Sequence, residues 1–269
     1  VTRRSVLPSW LAASIGVIIM IAAWWIIAII VAPDAGRKPI IPTPPQVISQ
    51  IVQDGFSYYW HAFSVTLQEA GIGYLVGNIV ALVLCGVVLV LPRLEGVLGQ
   101  IAVISYCLPL VAIGPLLKLI LGGAETAGGT SKTAIFVAGL SVFFTTVVGS
   151  LLGLKASDRS ALDLVTVFGG SRFTQLRKVR VISALPFVLN SLQIAVPAAF
   201  LGAILGEYFG GIDISVGTLL LTSQAGGYSA RLWGLFLMCA FTAIIGYALV
   251  GLIARAIAPW SRGSSRSAA

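Results

Sequence analysis

Little in this chain can make or break bonds. Among 269 residues there is one histidine, three cysteines and nine acidic residues. Cys85, Cys107 and Cys239 are scattered through apolar runs, without zinc-ligand spacing or a disulfide pattern, and read as small buried hydrophobes. His61 follows Tyr58, Tyr59 and Trp60 and reads as part of an interfacial aromatic belt. The run GGTSKT before Ala134 resembles a phosphate loop but lacks its Gly-Lys pair and follows no strand, so no nucleotide site is expected. The chemistry left is that of polar side chains inside apolar segments: Asn78, Asn190, Gln193 and Glu207. Such groups are costly in lipid, and they mark either a solute path or a hydrogen bond between helices. Asn190 and Gln193 lie three apart and share a helix face with Pro197, which suits a path whose neutral amides release what they bind. Asn78 reads first as glue between helices and second as path lining. Glu207 reads first as an ion pair or as a cap to the glycines that follow it, and second as a gate.

The elements that hold these residues must be membrane helices. The chain is 58% apolar and only 10% charged, with a mean hydropathy of +1.00. Soluble domains are about 45–50% apolar and about 25% charged. A net charge of +8 therefore points to basic loops on one side of a bilayer rather than to nucleic acid. Six apolar stretches are long enough to span: 10–32, 64–91, 96–121, 133–154, 182–205 and 232–257. The first exceeds the core of a signal peptide and is expected to be retained. Pro109 and Pro115 bend the third. Pro39, Pro42, Pro44 and Pro45 exclude regular helix up to Gln46, after which Val47, Ile48, Ile51 and Val52 predict a short amphipathic helix ending near Gly55. Twelve of the seventeen Lys and Arg residues fall on the loops that would face the cytoplasm if both termini do, which supports that orientation. No inverted repeat is visible, which argues against a self-sufficient transporter.

One long segment is neither span nor simple loop. From Ser157 to Pro186 the chain reads SDRSALDLVTVFGGSRFTQLRKVRVISALP, and six basic residues, Lys155 to Arg180, lie in it or just before it. It predicts two short amphipathic helices separated by Gly169-Gly170. Ser157 caps the first, which places Ala161, Leu162, Val165 and Phe168 on one face. Ser171 caps the second, with Phe173, Leu176 and Val179 on its apolar face. An apolar face outside the bilayer needs a cover, either a protein partner or the lipid surface.

This segment resembles the EAA loop of the inner-membrane permease subunits of ABC importers. That pattern is Glu-Ala-Ala, three residues, Gly, nine residues, an aliphatic, one residue, then Leu-Pro. Asp163 takes the Glu position, Gly169 the Gly and Val179 the aliphatic; Leu164 and Val165 replace the alanines, and Val181-Ile182 stand where Leu-Pro is usual. Leu185-Pro186, IPTPPQV from Ile41, the spacing of His61, Thr66-Leu67 and Gly73, LPLVAIGPLLKL from Leu108, and Gly206-Glu207 extend the likeness to the nitrate, sulfonate and taurine branch over residues 40–258.

The resemblance implies an all-α membrane protein of six transmembrane helices, with a cytoplasmic helix-Gly-helix coupling knob between spans four and five. It implies a region 1–60 holding the first span and the outer amphipathic helix, a core permease domain 61–258 with its coupling loop at 155–181, and a cytoplasmic tail 259–269. Asp163, Phe168, Gly169, Gly170, Ser171, Arg172, Phe173 and Arg177 would engage a separate ATPase, which alone binds ATP and Mg. The chain itself would be non-catalytic and without cofactor. Its expected partners are that ABC subunit, a second permease copy in a homodimer and an extracytoplasmic solute-binding protein, in a bacterial inner membrane. The rival readings are a gradient-driven carrier or channel acting alone, or an assembly subunit whose knob grips a soluble partner. The substrate is not readable.

Overall fold

The computed structural model describes residues 8–31, 39–122, 129–210 and 214–260; the basic start and the end of the tail lie outside them. They form eleven helices with no strand among the described residues. These are α1 (Ser9–Ile30), α2 (Pro44–Asp54), α3 (Phe56–Val90), α4 (Glu95–Cys107), α5 (Leu110–Leu121), α6 (Lys132–Lys155), α7 (Arg159–Val167), α8 (Arg172–Gln175), α9 (Val181–Gly210), α10 (Val216–Ala225) and α11 (Ser229–Ile257). Five helices are long and apolar enough to cross a bilayer, and the pair α4–α5, bent by 94°, makes a sixth if it counts as one broken span.

The chain divides into two compact units, one of residues 1–60 with 219–238 and the other of residues 61–218 with 239–269. In the smaller unit, α2 starts at Pro44 rather than after the prolines. Thr43 and Gln46 form a capping box, and Pro44 and Pro45 occupy the first turn, where a missing N–H costs nothing. Trp24 of α1 stacks on Trp233 at 5.3 Å and donates its indole N–H to the Pro42 carbonyl at 3.1 Å.

The larger unit is built around α6, which packs on α4, α5 and α9. Its pattern inverts that of a soluble helix bundle. On α3 the buried positions include Thr66, Glu69, Ala70, Gly73, Gly77, Asn78 and Ala81, whereas Leu75, Val76, Ile79 and Val80 are exposed. Small and polar residues face neighbouring helices and large aliphatics face outward, because between helices in lipid close contact drives association. A Cβ on Gly73 would lie 2.5 Å from the Ala138 Cβ, and one on Gly206 2.5 Å from the Ala134 Cα.

Three elements differ from expectation. The third span breaks at Leu108-Pro109, and Pro115 sits within α5 without ending it. The second knob helix does not end before span five: α8, a π turn at Leu176–Arg180 and α9 run on from Phe173 to Gly210 as 38 residues. The glycine-rich segment after Glu207 contains the unforeseen helix α10. Cys85 is buried, but Cys107 is exposed, which corrects its reading as a buried hydrophobe.

Candidate coupling stub and polar path

The stub between α6 and α9 owes its shape to a turn that only glycine takes easily. Asp158, not Ser157, caps α7, its carboxylate accepting from the Ser160 N–H at 3.1 Å. At the other end the Gly170 N–H donates to the Val165 carbonyl at 2.8 Å, and the Gly169 N–H to the Thr166 carbonyl at 2.9 Å. This is a Schellman motif with Gly169 in the left-handed region at φ +73°. Gly170 follows so closely that a Cβ there would sit 2.7 Å from the Val165 carbonyl oxygen. Ser171 caps α8 by accepting from the Thr174 N–H at 3.3 Å. Gln175 then ties the two helices together, donating to Thr166 Oγ1 at 2.7 Å and to the Leu162 carbonyl at 3.3 Å.

The fixed turn presents apolar side chains with nothing over them. Val167 and Phe168 are each 82% exposed, Phe173 is 69% and Leu164 is 58%. Phe168 therefore does not share the inward face of Ala161, Leu162 and Val165, since as the C-cap it swings out of the helical register. Asp163, Ser171 and Arg177 are exposed on the same stub. Arg172 opens α8, and its side chain lies outside the described residues. Beside the stub, Lys155 at the end of α6 meets Glu95 at the start of α4 at 2.5 Å, an exposed pair of the kind worth about 0–1 kcal/mol.

The four polar residues of the spans part company. Asn78 is buried, and both ends of its amide are in use: Oδ1 accepts from Thr146 Oγ1 of α6 at 2.5 Å, and Nδ2 donates to the Tyr74 carbonyl at 2.8 Å. Asn190 and Gln193 remain together on α9. They line a cavity of about 140 Å³ with Pro186, Leu189, Gly251 and Arg255. Asn190 is exposed there, while Gln193 donates to the Tyr247 carbonyl of α11 at 3.3 Å. Glu207 is fully buried and accepts from the Gly217 N–H in the first turn of α10 at 2.8 Å. That matches a cap to the glycine-rich turn; no ion pair to it is found among the described residues.

One buried acid escaped the sequence reading. Glu69 of α3 has no exposed surface, and it accepts from the Ser131 N–H, at the N-cap of α6, at 2.5 Å. The signal was available. Glu69 is a carboxylate inside a stretch already read as a span, three residues after Thr66 and four before Gly73, on the small-residue face.

Membrane helices packed through glycines, with an apolar stub between α6 and α9, define an integral membrane protein. Residues 73–263 match the family described as binding-protein-dependent transport system inner membrane component, and the chain belongs to that family. It is 32% identical over 213 residues to a probable ABC transporter permease protein of Haemophilus influenzae, covering 78% of this chain and 81% of the relative. It is 26% identical over 230 residues to the formylaminopyrimidine transport permease protein ThiX of Halalkalibacterium halodurans, covering 84% and 88%. It is 21% identical over 245 residues to the putative aliphatic sulfonates transport permease protein SsuC of Bacillus subtilis, covering 90% and 84%. The chain is the multi-pass membrane permease subunit of an ABC importer.

Proposed function

We propose that the α7–α8 stub is the surface on which a separate ATP-binding subunit docks, and that its movement is passed directly to α9. The observation that carries this reading is the exposed cluster Leu164, Val167, Phe168 and Phe173 around a glycine-locked turn. Aromatic side chains filling a groove are the usual anchors of an interface, with charges such as Asp163 and Arg177 at the rim. The unbroken run from α8 into α9 supports the mechanical half, because a continuous helix transmits tilt without slack. ATP and Mg belong to the partner; this chain binds neither and hydrolyses nothing.

Two copies would form the path. Asn190 is a polar side chain exposed on a membrane helix, costly against lipid, so a second copy covering this face and shared with solute accounts for it. A solute-binding protein would deliver cargo on the side opposite the stub, with both termini and the stub in the cytoplasm of a bacterial cell. The relatives named for a formylaminopyrimidine and for aliphatic sulfonates support a small polar cargo, chosen mainly by that binding protein because the neutral amides here favour neither sign of charge.

The test is co-purification and reconstitution. The chain should retain its cognate ATPase, and Gly169→Asp should release it while still inserting in the membrane. Uptake by proteoliposomes should need the ATPase, ATP and the solute-binding protein. Uptake driven by an ion gradient through the chain alone would overturn the reading.

A further inference from the structure

Glu69 and Glu207 each spend one carboxylate oxygen on a backbone N–H, from Ser131 and Gly217 respectively. The other oxygens, Glu69 Oε2 and Glu207 Oε1, are buried and find no hydrogen-bond donor among the described residues. The two carboxyls interact directly with each other. Two bare carboxylates side by side in a dry interior repel strongly, and an unpaired buried oxygen is costly in its own right. Among the described residues no ion pair is formed with either carboxyl. The hydroxyls of Thr66 and Ser215 lie beside the Glu207 carboxyl, but their protons are directed elsewhere: Thr66 donates to the Ala62 carbonyl while accepting from the Val216 N–H, and Ser215 donates to Thr218 Oγ1. Cys239 of α11 is the other titratable group that senses Glu207, and it brings no cation. A hard metal ion would need about six oxygen ligands, and this site offers two free ones.

The geometry points to a single proton shared between Glu69 and Glu207, a carboxyl–carboxylate bridge that fastens α3, the start of α6, the end of α9 and the start of α10 to one another at the end remote from the stub. With the proton in place, one acid donates to the other and the repulsion becomes a charge-assisted hydrogen bond. Without it, the two carboxylates push those four helices apart. The inference rests on the buried pair and does not depend on the importer reading.

Infrared spectra and glutamine substitutions test it together, on the full chain in lipid. The wild type at neutral pH should show the carbonyl band of a protonated, hydrogen-bonded carboxyl, and Glu69→Gln and Glu207→Gln should each remove that band. A single glutamine supplies the missing donor, so each single variant should keep its Tm within about 2 °C of wild type; in the double variant each amide oxygen is held by its backbone N–H and two NH2 groups face each other, so its Tm should fall by about 5 °C or more. Alkaline pH should lower the Tm of wild type and leave the single variants unchanged. If the wild type lacks the band, or its Tm follows the concentration of a metal cation instead of pH, the shared proton is wrong. Single variants that fall as far as the double would overturn it equally.

Discussion

Asp54 and Arg231, at the end of α2 and the start of α11, meet at two points: Nε to Oδ2 at 2.8 Å and Nη2 to Oδ1 at 2.5 Å. Tyr59 donates to the same carboxylate at 2.6 Å and Gln50 at 2.9 Å. The guanidinium also lies 5.1 Å and 5.0 Å from the ring centroids of Tyr58 and Tyr228. Burial pulls the Asp54 carboxyl upward, but the bonds from Arg231, Tyr59 and Gln50 together with the guanidinium charge outweigh it and hold the group below its ordinary 3.8. A depressed carboxyl adds stability that is complete above its unfolded value and disappears as pH falls through the folded one. Asp54→Asn should therefore lower stability by about 2–3 kcal/mol at neutral pH, and the gap to wild type should close only below pH 3.8. Thermal unfolding in detergent at several pH values measures this directly. A gap that is constant down to the most acid pH would show that the charge is not what holds the pair.

Gly169 is the position where a side chain meets backbone strain rather than crowding, since its φ is +73° and the space around it is open. Gly169→Ala should cost about 1 kcal/mol in the stub, and Gly169→Asn less, because Asn tolerates the left-handed region. Gly170→Ala should be worse than either, since its Cβ meets the fixed Val165 carbonyl. Membrane insertion should be unaffected by all three. Affinity for the ATP-binding subunit, measured by titration in nanodiscs, should fall in the order Asn, Ala, then the Gly170 variant.

The Asn78–Thr146 bond joins α3 to α6 inside the larger unit. A double-mutant cycle with Asn78→Leu and Thr146→Val should return a coupling of about 0.6–1.7 kcal/mol, the range for hydrogen bonds between membrane helices. Uptake should drop no further than this loss of stability explains. A large transport defect at unchanged stability would return Asn78 to the path.

Close packing of α6 against α9 rests on residues without side chains to spare. Gly206→Ala forces its Cβ against the Ala134 backbone, which cannot swing aside as a long side chain can. A destabilisation of about 1–3 kcal/mol is expected, read as a lower yield of folded protein and a lower Tm. Gly71→Ala is the control, because nothing lies within 4 Å of a Cβ there, and it should be neutral or slightly stabilising.

What could be read without coordinates followed from local rules. Runs of about twenty apolar residues announce helices, so α1, α6 and α11 were foreseeable within a few residues and α3 at its far end, although it starts at Phe56, before the apolar run, and a glycine pair in a charged stretch announced the stub. Local rules failed where two elements compete for the same residues. Helix continuity at Leu176–Arg180 was settled by a π turn that absorbs one extra residue, and a periodicity count cannot see it. Leu108-Pro109 and Pro115 look alike as prolines in a span, yet only the first breaks the helix.

The residue types on their own determined that this chain lives in a bilayer and which stretches can cross it, because partition into an apolar solvent depends on composition over a short window. Which polar groups find one another was decided only by the tertiary structure. Glu69 and Glu207 are 138 positions apart along the numbering of the chain, and their two free oxygens share one dry site because α3 and α9 both pack against α6. No window of sequence holds that pairing, since a long-range contact depends on how helices cross and not on what any one of them contains.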